Sequence, residues 1–156
     1  MTRQQNQNNK NNKQLYLAEV IQSSLQTFTA QSWQWDAFPA FGSLLTIATQ
    51  DKLIFGLVYA IQTGSLDPYR TAFVYKKTEE ELRIEQPQIF EYMHTTFSCL
   101  IVGFLKHDEV FYQIAPEPPK MHAFVRLATP DEIERFFKSC AYLHIILKTN
   151  IQIQVD

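Results

Sequence analysis

A chain of 156 residues with 46% apolar side chains is long enough for one domain that buries roughly two-thirds of its unfolded surface. Its stability therefore requires neither a metal nor a disulfide, and 12 Phe, 7 Tyr and 2 Trp against 4 Gly give it a rich core. The formal charge is −2 and the lysines and arginines are scattered, which leaves no basic face for a phosphate backbone and disfavours nucleic acid as a partner.

No apolar run reaches the roughly 18 residues of a membrane-spanning helix, and the start "MTRQQNQNNKNNKQ" is unlike a secretory signal. The expectation is a soluble, cytoplasmic protein with no membrane association. Cys99 in "TFSCLIV" and Cys140 in "FFKSCAYL" have no CxxC spacing and read as free, buried thiols of a reducing compartment.

In chain order, residues 1–14 are nearly all Asn, Gln and Lys and are expected to form a disordered tail, because nothing in them offsets the entropy of ordering. A barrel domain is expected over residues 15–128, and a helix with a tail over 129–156, packed on the barrel or leading into a further region. From Leu15 onward short apolar runs are punctuated by turn residues, the rhythm of a small barrel or sandwich. "YLAEVIQSS", "QTFTAQSWQW", "SLLTIATQ" and "KLIFGLVYAIQT" are the first candidate strands, the last two joined by a hairpin loop at Gln50-Asp51-Lys52. The run Leu53, Ile54, Phe55, Leu57, Val58 is almost continuously apolar, which predicts a strand covered on both faces.

Asp67-Pro68 marks a turn with "TAFVYK" as the strand leaving it. Thr78 and Glu81 form a capping-box pattern for a helix that Pro87 limits to about two turns, and Ile89–His94 is expected as a second short helix or an irregular segment. "FSCLIVGFLK" and "EVFYQIA" are strands around a hairpin loop at Lys106-His107-Asp108. Pro116, Pro118 and Pro119 fix a rigid connector in which sheet pairing stops, and "AFVRLAT" is the last strand. Thr129, Pro130 and Glu132 open a helix whose buried stripe would be Ile133, Phe136, Phe137, Cys140, Ala141, His144 and Leu147. "IQIQVD" alternates as a strand would, pairing at a sheet edge or continuing into further chain. The fold class is mainly β with a C-terminal α-helix, a small closed or partly open antiparallel β-barrel.

Chemistry-bearing patterns are sparse. Neither GxGxxG nor GxxxxGK[ST] occurs, so Gly42 and Gly56 are read as points where a strand bends or another crosses closely. The four histidines lack metal-ligand spacing, and no metal or cofactor is expected. His144 reads as a core histidine. His122, at the end of the proline connector, either fastens that turn or faces a ligand, with fastening favoured. Cys99 or Ser98 with His94 lacks any nucleophile signature, the glutamates at 79–81 read as a solvated face, and Asp67 with Arg70 as an ion pair clamping a turn. Trp33, Trp35, Phe38 and Phe41 form an aromatic cluster, expected to be mostly core with at least one member exposed as an interface anchor.

The succession "FGSLLTIAT", "IFGLVYAI", the "S-x-DP-x-R" turn and "CLIVGFL" resembles the HAS barrel, the N-terminal barrel shared by HerA-type DNA-translocating ATPases and ATP synthase catalytic subunits. The resemblance spans residues 17–127 and carries no invariant chemical signature. It implies a barrel without catalytic residues that pairs with neighbouring barrels or docks a protein, with Gly42, Gly56, Asp67, Arg70 and Gly103 as framework positions. The expected function is a non-enzymatic adaptor or assembly module, binding a protein partner such as an ATPase complex, or itself, through Trp33, Trp35, Phe38 and the segment Pro116, Pro118, Pro119, His122. The alternatives are a single-stranded nucleic-acid-binding barrel and, with less support, an enzyme using Cys99 or His122.

Overall fold

The structure, a computed structural model, describes residues 15–66 and 74–149. Seven strands make one antiparallel sheet: β1 (Ala18–Ser23), β2 (Thr27–Ser32), β3 (Leu44–Ala48), β4 (Leu53–Ser65), β5 (Met93–Lys106), β6 (Glu109–Phe111) and β7 (Phe124–Leu127). Their order is β2-β1-β7-β3-β4-β5-β6, and a further β2–β5 pairing closes a six-stranded barrel. β6 lies outside the closure, pairing with Phe104–Lys106 of β5 beyond the Thr96–Leu100 stretch that β2 occupies.

Period-two alternation turns one face of each strand inward. Ala18 and Val20, Phe28 and Ala30, Leu45 and Ile47, Ile54 and Val58, Phe97, Cys99, Ile101 and Val125 fill the interior as one buried cluster. A second cluster lies outside the barrel wall, where Leu44, Phe55, Leu100 and Val102 gather around Phe136. The continuous apolar run in β4 is thereby explained, because Ile54 and Val58 face the barrel interior while Phe55 between them faces the C-terminal segment.

Among the described residues four short helices accompany the sheet: α1 (Glu79–Glu85), α2 (Gln88–Glu91), α3 (Pro130–Phe136) and α4 (Leu143–Lys148). Both expected capping boxes form, at Thr78/Glu81 and Thr129/Glu132, and α1 ends at Gln86, just before Pro87. At the β5–β6 hairpin His107 and Asp108 have φ of 48° and 64°, the signature of a type I′ turn.

Several expectations are corrected. The C-terminal helix is two helices, not one, and only Phe136 and Ile145 of them are buried. Ile133, Phe137 and Leu147 are exposed, as are Cys140 and His144. The break has local causes. The Tyr112 hydroxyl donates to the Phe136 carbonyl at 2.6 Å, and Ser139 Oγ accepts from the Ala141 N–H at 3.2 Å, bonds that compete with helix continuation.

β5 starts at Met93, so His94 lies on a strand, and α2 is only 4 residues long. "EVFYQIA" contributes just Glu109–Phe111. Val74–Lys76 are not strand, and Lys76 has φ 56°, which ends any extended run; the rest of "TAFVYK", residues 71–73, lies outside the described residues. Asp67 and Arg70, the tail 1–14 and "IQIQVD" also lie outside them.

Gly42 is not a strand crossing. It occupies a turn with φ 78° and open space beside it, a backbone conformation that suits glycine. Gly56 fits its expectation, for the β4–β5 register shifts between Phe55 and Gly56, and the Phe28 ring crosses where a Cβ would sit, 2.5 Å from its Cε1. A Cβ at Gly103 would lie 2.5 Å from the Phe111 carbonyl oxygen, so β6 approaches β5 closely there.

Candidate protein-binding surface

The four aromatics of "WQWDAFPAF" do not form a core cluster. Trp33 precedes, and Trp35 sits within, a tight turn in which the Ala37 N–H donates to the Gln34 carbonyl at 3.3 Å, and each finds a different partner. Trp33 follows the inward Ser32 and so points outward. It is 43% exposed and meets Phe124 of β7 edge-on, ring centroids 5.5 Å apart; Tyr16 reaches the same Phe124 at 5.3 Å. Phe124 is itself 43% exposed. Together these three rings make an aromatic ridge on the outer wall of β1, β2 and β7.

Trp35 is half-buried and lies against Phe90 of α2, with centroids 5.7 Å apart. The Arg83 guanidinium stands 4.6 Å from the Phe90 centroid and 5.9 Å from that of Trp35, a cation–π arrangement that rests α1 and α2 on the barrel end although neither helix has a buried residue. Phe38 and Phe41 are exposed and separate from both groups.

In the connector, Pro119 is buried while Pro116 and Pro118 are exposed. Sheet pairing stops between β6 and β7, yet the connector is fastened to β1. The Ser23 hydroxyl donates to the Pro119 carbonyl at 2.6 Å, the His122 N–H to the Val20 carbonyl at 2.9 Å, and the Val20 N–H to the Ala123 carbonyl at 3.0 Å. The Ala123 N–H closes a turn on the Lys120 carbonyl at 3.1 Å. His122 takes its third position with φ 64°, where a type II turn favours glycine. Its Nδ1 sits 2.8 Å from Glu19 Oε1. His122 therefore fastens the connector to β1, the favoured sequence reading.

Between this turn and the β3–β4 hairpin lies a groove of about 430 Å³ lined by Ala48, Thr49, Gln50, Lys120, Met121, His122 and Ala123. The hairpin side is held by the Thr49 hydroxyl donating to the Lys52 carbonyl and accepting from the Lys52 N–H, at 2.9 Å and 3.3 Å.

The residues considered for catalysis are dispersed. Cys99 faces the barrel interior, and burial pushes its thiol well above the ordinary 9.0. Ser98 shares a hydrogen bond with Thr29 at 3.1 Å, and His94 Nδ1 is shielded without a hydrogen-bond partner. Glu79, Glu80 and Glu81 are exposed; hydrogen bonds from the Thr78 backbone and hydroxyl hold Glu81 below its ordinary value. Among the described residues no group of three or more His, Cys, Asp and Glu side chains is placed to hold a metal ion, and no helix is long and apolar enough to cross a membrane.

Sequence reasoning missed Phe124, Tyr16 and Lys120. The alternation in "AFVRLAT", with Val125 inward, places Phe124 outward, and an outward aromatic on a barrel strand was the available signal.

A scan against protein-family models and a search of curated proteins each find no match. Fold and surface together define a small six-stranded antiparallel β-barrel, covered on one side by two C-terminal helices and carrying exposed aromatic side chains on its bare wall.

Proposed function

We propose that the chain is a non-enzymatic adaptor or assembly module of the HAS-barrel kind, which binds another protein, or a second copy of itself, through the bare wall of its barrel. The observation that carries this reading is the ridge of Tyr16, Trp33 and Phe124. Amphipathic aromatics half-exposed on a rigid scaffold lose little entropy on docking and lead interface hot spots. The burial of Cys99 and the engagement of His122 with Glu19 count against the enzyme reading.

The test is mass in solution by light-scattering chromatography, on the pure chain and on chain mixed with extract of its own cells, followed by reconstitution with the identified partner in purified form. A dimer, ring or reconstituted complex that Trp33→Ser and Phe124→Ser weaken supports the proposal. A single-chain mass throughout, or turnover of nucleotides or generic esters by the pure chain, overturns it.

Single-stranded nucleic acid is the second reading, favoured by the same exposed rings, on which bases stack; the charge of −2 opposes it. Failure to bind labelled oligonucleotides below about 50 mM salt removes it.

A further inference from the structure

The groove beside His122 has features that the aromatic ridge lacks. Both rims are built in advance: the hairpin by the Thr49–Lys52 hydrogen bonds, the connector by buried Pro119 and the bonds of Ser23 and His122 to their partners. Pre-formed rims reduce the ordering cost of binding. His122 holds a left-handed backbone at φ 64°, a conformation that disfavours a non-glycine residue, and this conformation shapes the wall.

The charges in and around the groove are unequal in their engagement. Asp51 is shared by Lys52 and Lys106, at 3.2 Å and 2.8 Å; Glu117 lies 4.0 Å from the Lys52 ammonium; Glu19 holds His122. Lys120 is an exposed lining residue with no ion-pair partner among the described residues. Its apolar neighbours in the lining are Ala48, Met121 and Ala123, and Met121 is 53% exposed.

From this placement we propose that the groove takes an extended segment of the partner protein, in which one carboxylate side chain meets Lys120 and an adjacent apolar side chain covers Met121 and Ala48. Glu19, Asp51 and Glu117 flank the site, so a second carboxylate is disfavoured. The volume of about 430 Å³ falls in the lower part of the range of ligand sites, sufficient for a short segment rather than a domain. This inference rests on the adaptor reading for its partner, but its chemistry is tested without one.

The probe is the blocked tripeptide acetyl-Leu-Glu-Leu-amide, titrated against the full chain labelled with ¹⁵N, with acetyl-Leu-Gln-Leu-amide as the uncharged control and acetyl-leucine as a free terminal carboxylate. Saturating shifts confined to the amides of Thr49, Gln50, Lys120, Met121 and Ala123 are expected. Affinity for the Glu peptide should be about fivefold above the Gln peptide, the upper worth of an exposed ion pair, and Lys120→Gln should erase that difference while leaving other resonances in place. Equal affinity for the two peptides, shifts elsewhere, no saturation, or preference for acetyl-leucine would overturn the proposal. An intact complex through Trp33 alongside any of these would sink the groove alone; loss of both would sink the adaptor reading as well.

Discussion

Gly56→Ala tests a close side-chain crossing inside the barrel. The added methyl would lie 2.5 Å from Phe28 Cε1, 2.8 Å from Cζ and 3.2 Å from Cys99 Cβ, whereas carbon atoms settle at about 3.5–4.0 Å. Phe28 is 1% exposed, so its ring cannot swing into solvent and must shift by about 1 Å within a close-packed core. Overpacking of this kind costs about 1–3 kcal/mol, and the stiffer unfolded chain of alanine returns about 0.4–1 kcal/mol. The net expectation is a loss of about 1–2 kcal/mol, read in urea unfolding followed by tryptophan fluorescence as a lower midpoint with unchanged slope. Phe28→Leu removes the clashing ring atoms and leaves a cavity of its own. The double variant should therefore lose less than the two single losses together, by about 1 kcal/mol or more. Additivity within about 0.5 kcal/mol, or a Gly56→Ala protein as stable as the parent, would refute the account of why glycine stands there.

The C-terminal cover has a pH signature. Burial alone would raise the Glu132 carboxyl, but hydrogen bonds from Arg126 and Thr129 outweigh it and hold the group below its ordinary 4.5. A lowered folded-state value means that the stabilisation is complete above about pH 4.5 and is lost as pH falls through the folded value. Glu132→Gln should cost about 1–3 kcal/mol at pH 7, and its stability should fall less steeply than the parent's below pH 4.5; parallel curves would show that the pair contributes nothing. The two cysteines should separate under a thiol reagent at pH 8. Cys140, exposed, should react at once, and Cys99, buried, only after denaturant is added. Rapid reaction of both would mean that the barrel interior opens readily.

The barrel was legible wherever one strand face meets the interior, since alternation in "QTFTAQS" already separates the two faces. The caps at Thr78 and Thr129 were legible because each capping box is complete within four residues of sequence. What escaped depends on contacts distant in the chain. The split of the last helix follows in part from a hydroxyl on Tyr112, 24 residues before the carbonyl it takes. Trp33 and Trp35 look alike in sequence, and only the Gln34–Ala37 turn that takes in Trp35 and their partners Phe124 and Phe90 set them apart. The left-handed turn at His122 has no glycine to announce it.

The covered and bare arcs of the barrel follow different rules, and the difference is what the proposed binding wall rests on. Where α3 and α4 lie, outward positions are apolar, Leu44, Phe55, Leu100 and Val102, because Phe136 buries them. Arg126 joins the two arcs: its guanidinium donates twice to Glu132, both at 2.8 Å, and so ties α3 to the edge of the bare wall. On β1 and β2 the outward positions Glu19, Thr27, Thr29 and Gln31 are those of a wall facing water, with exposed Ile21 at the β1–β2 register shift as the exception. Trp33, just past the end of β2, and Phe124 of β7 break that rule, in contact with each other across the intervening β1. Neither fills the interior cluster or the cluster around Phe136, and after packing on each other and on Tyr16 both remain 43% exposed. The partner proposed above would remove them from water, and the Glu19–His122 pair at the groove lies on the same wall, because Glu19 pairs directly with Phe124.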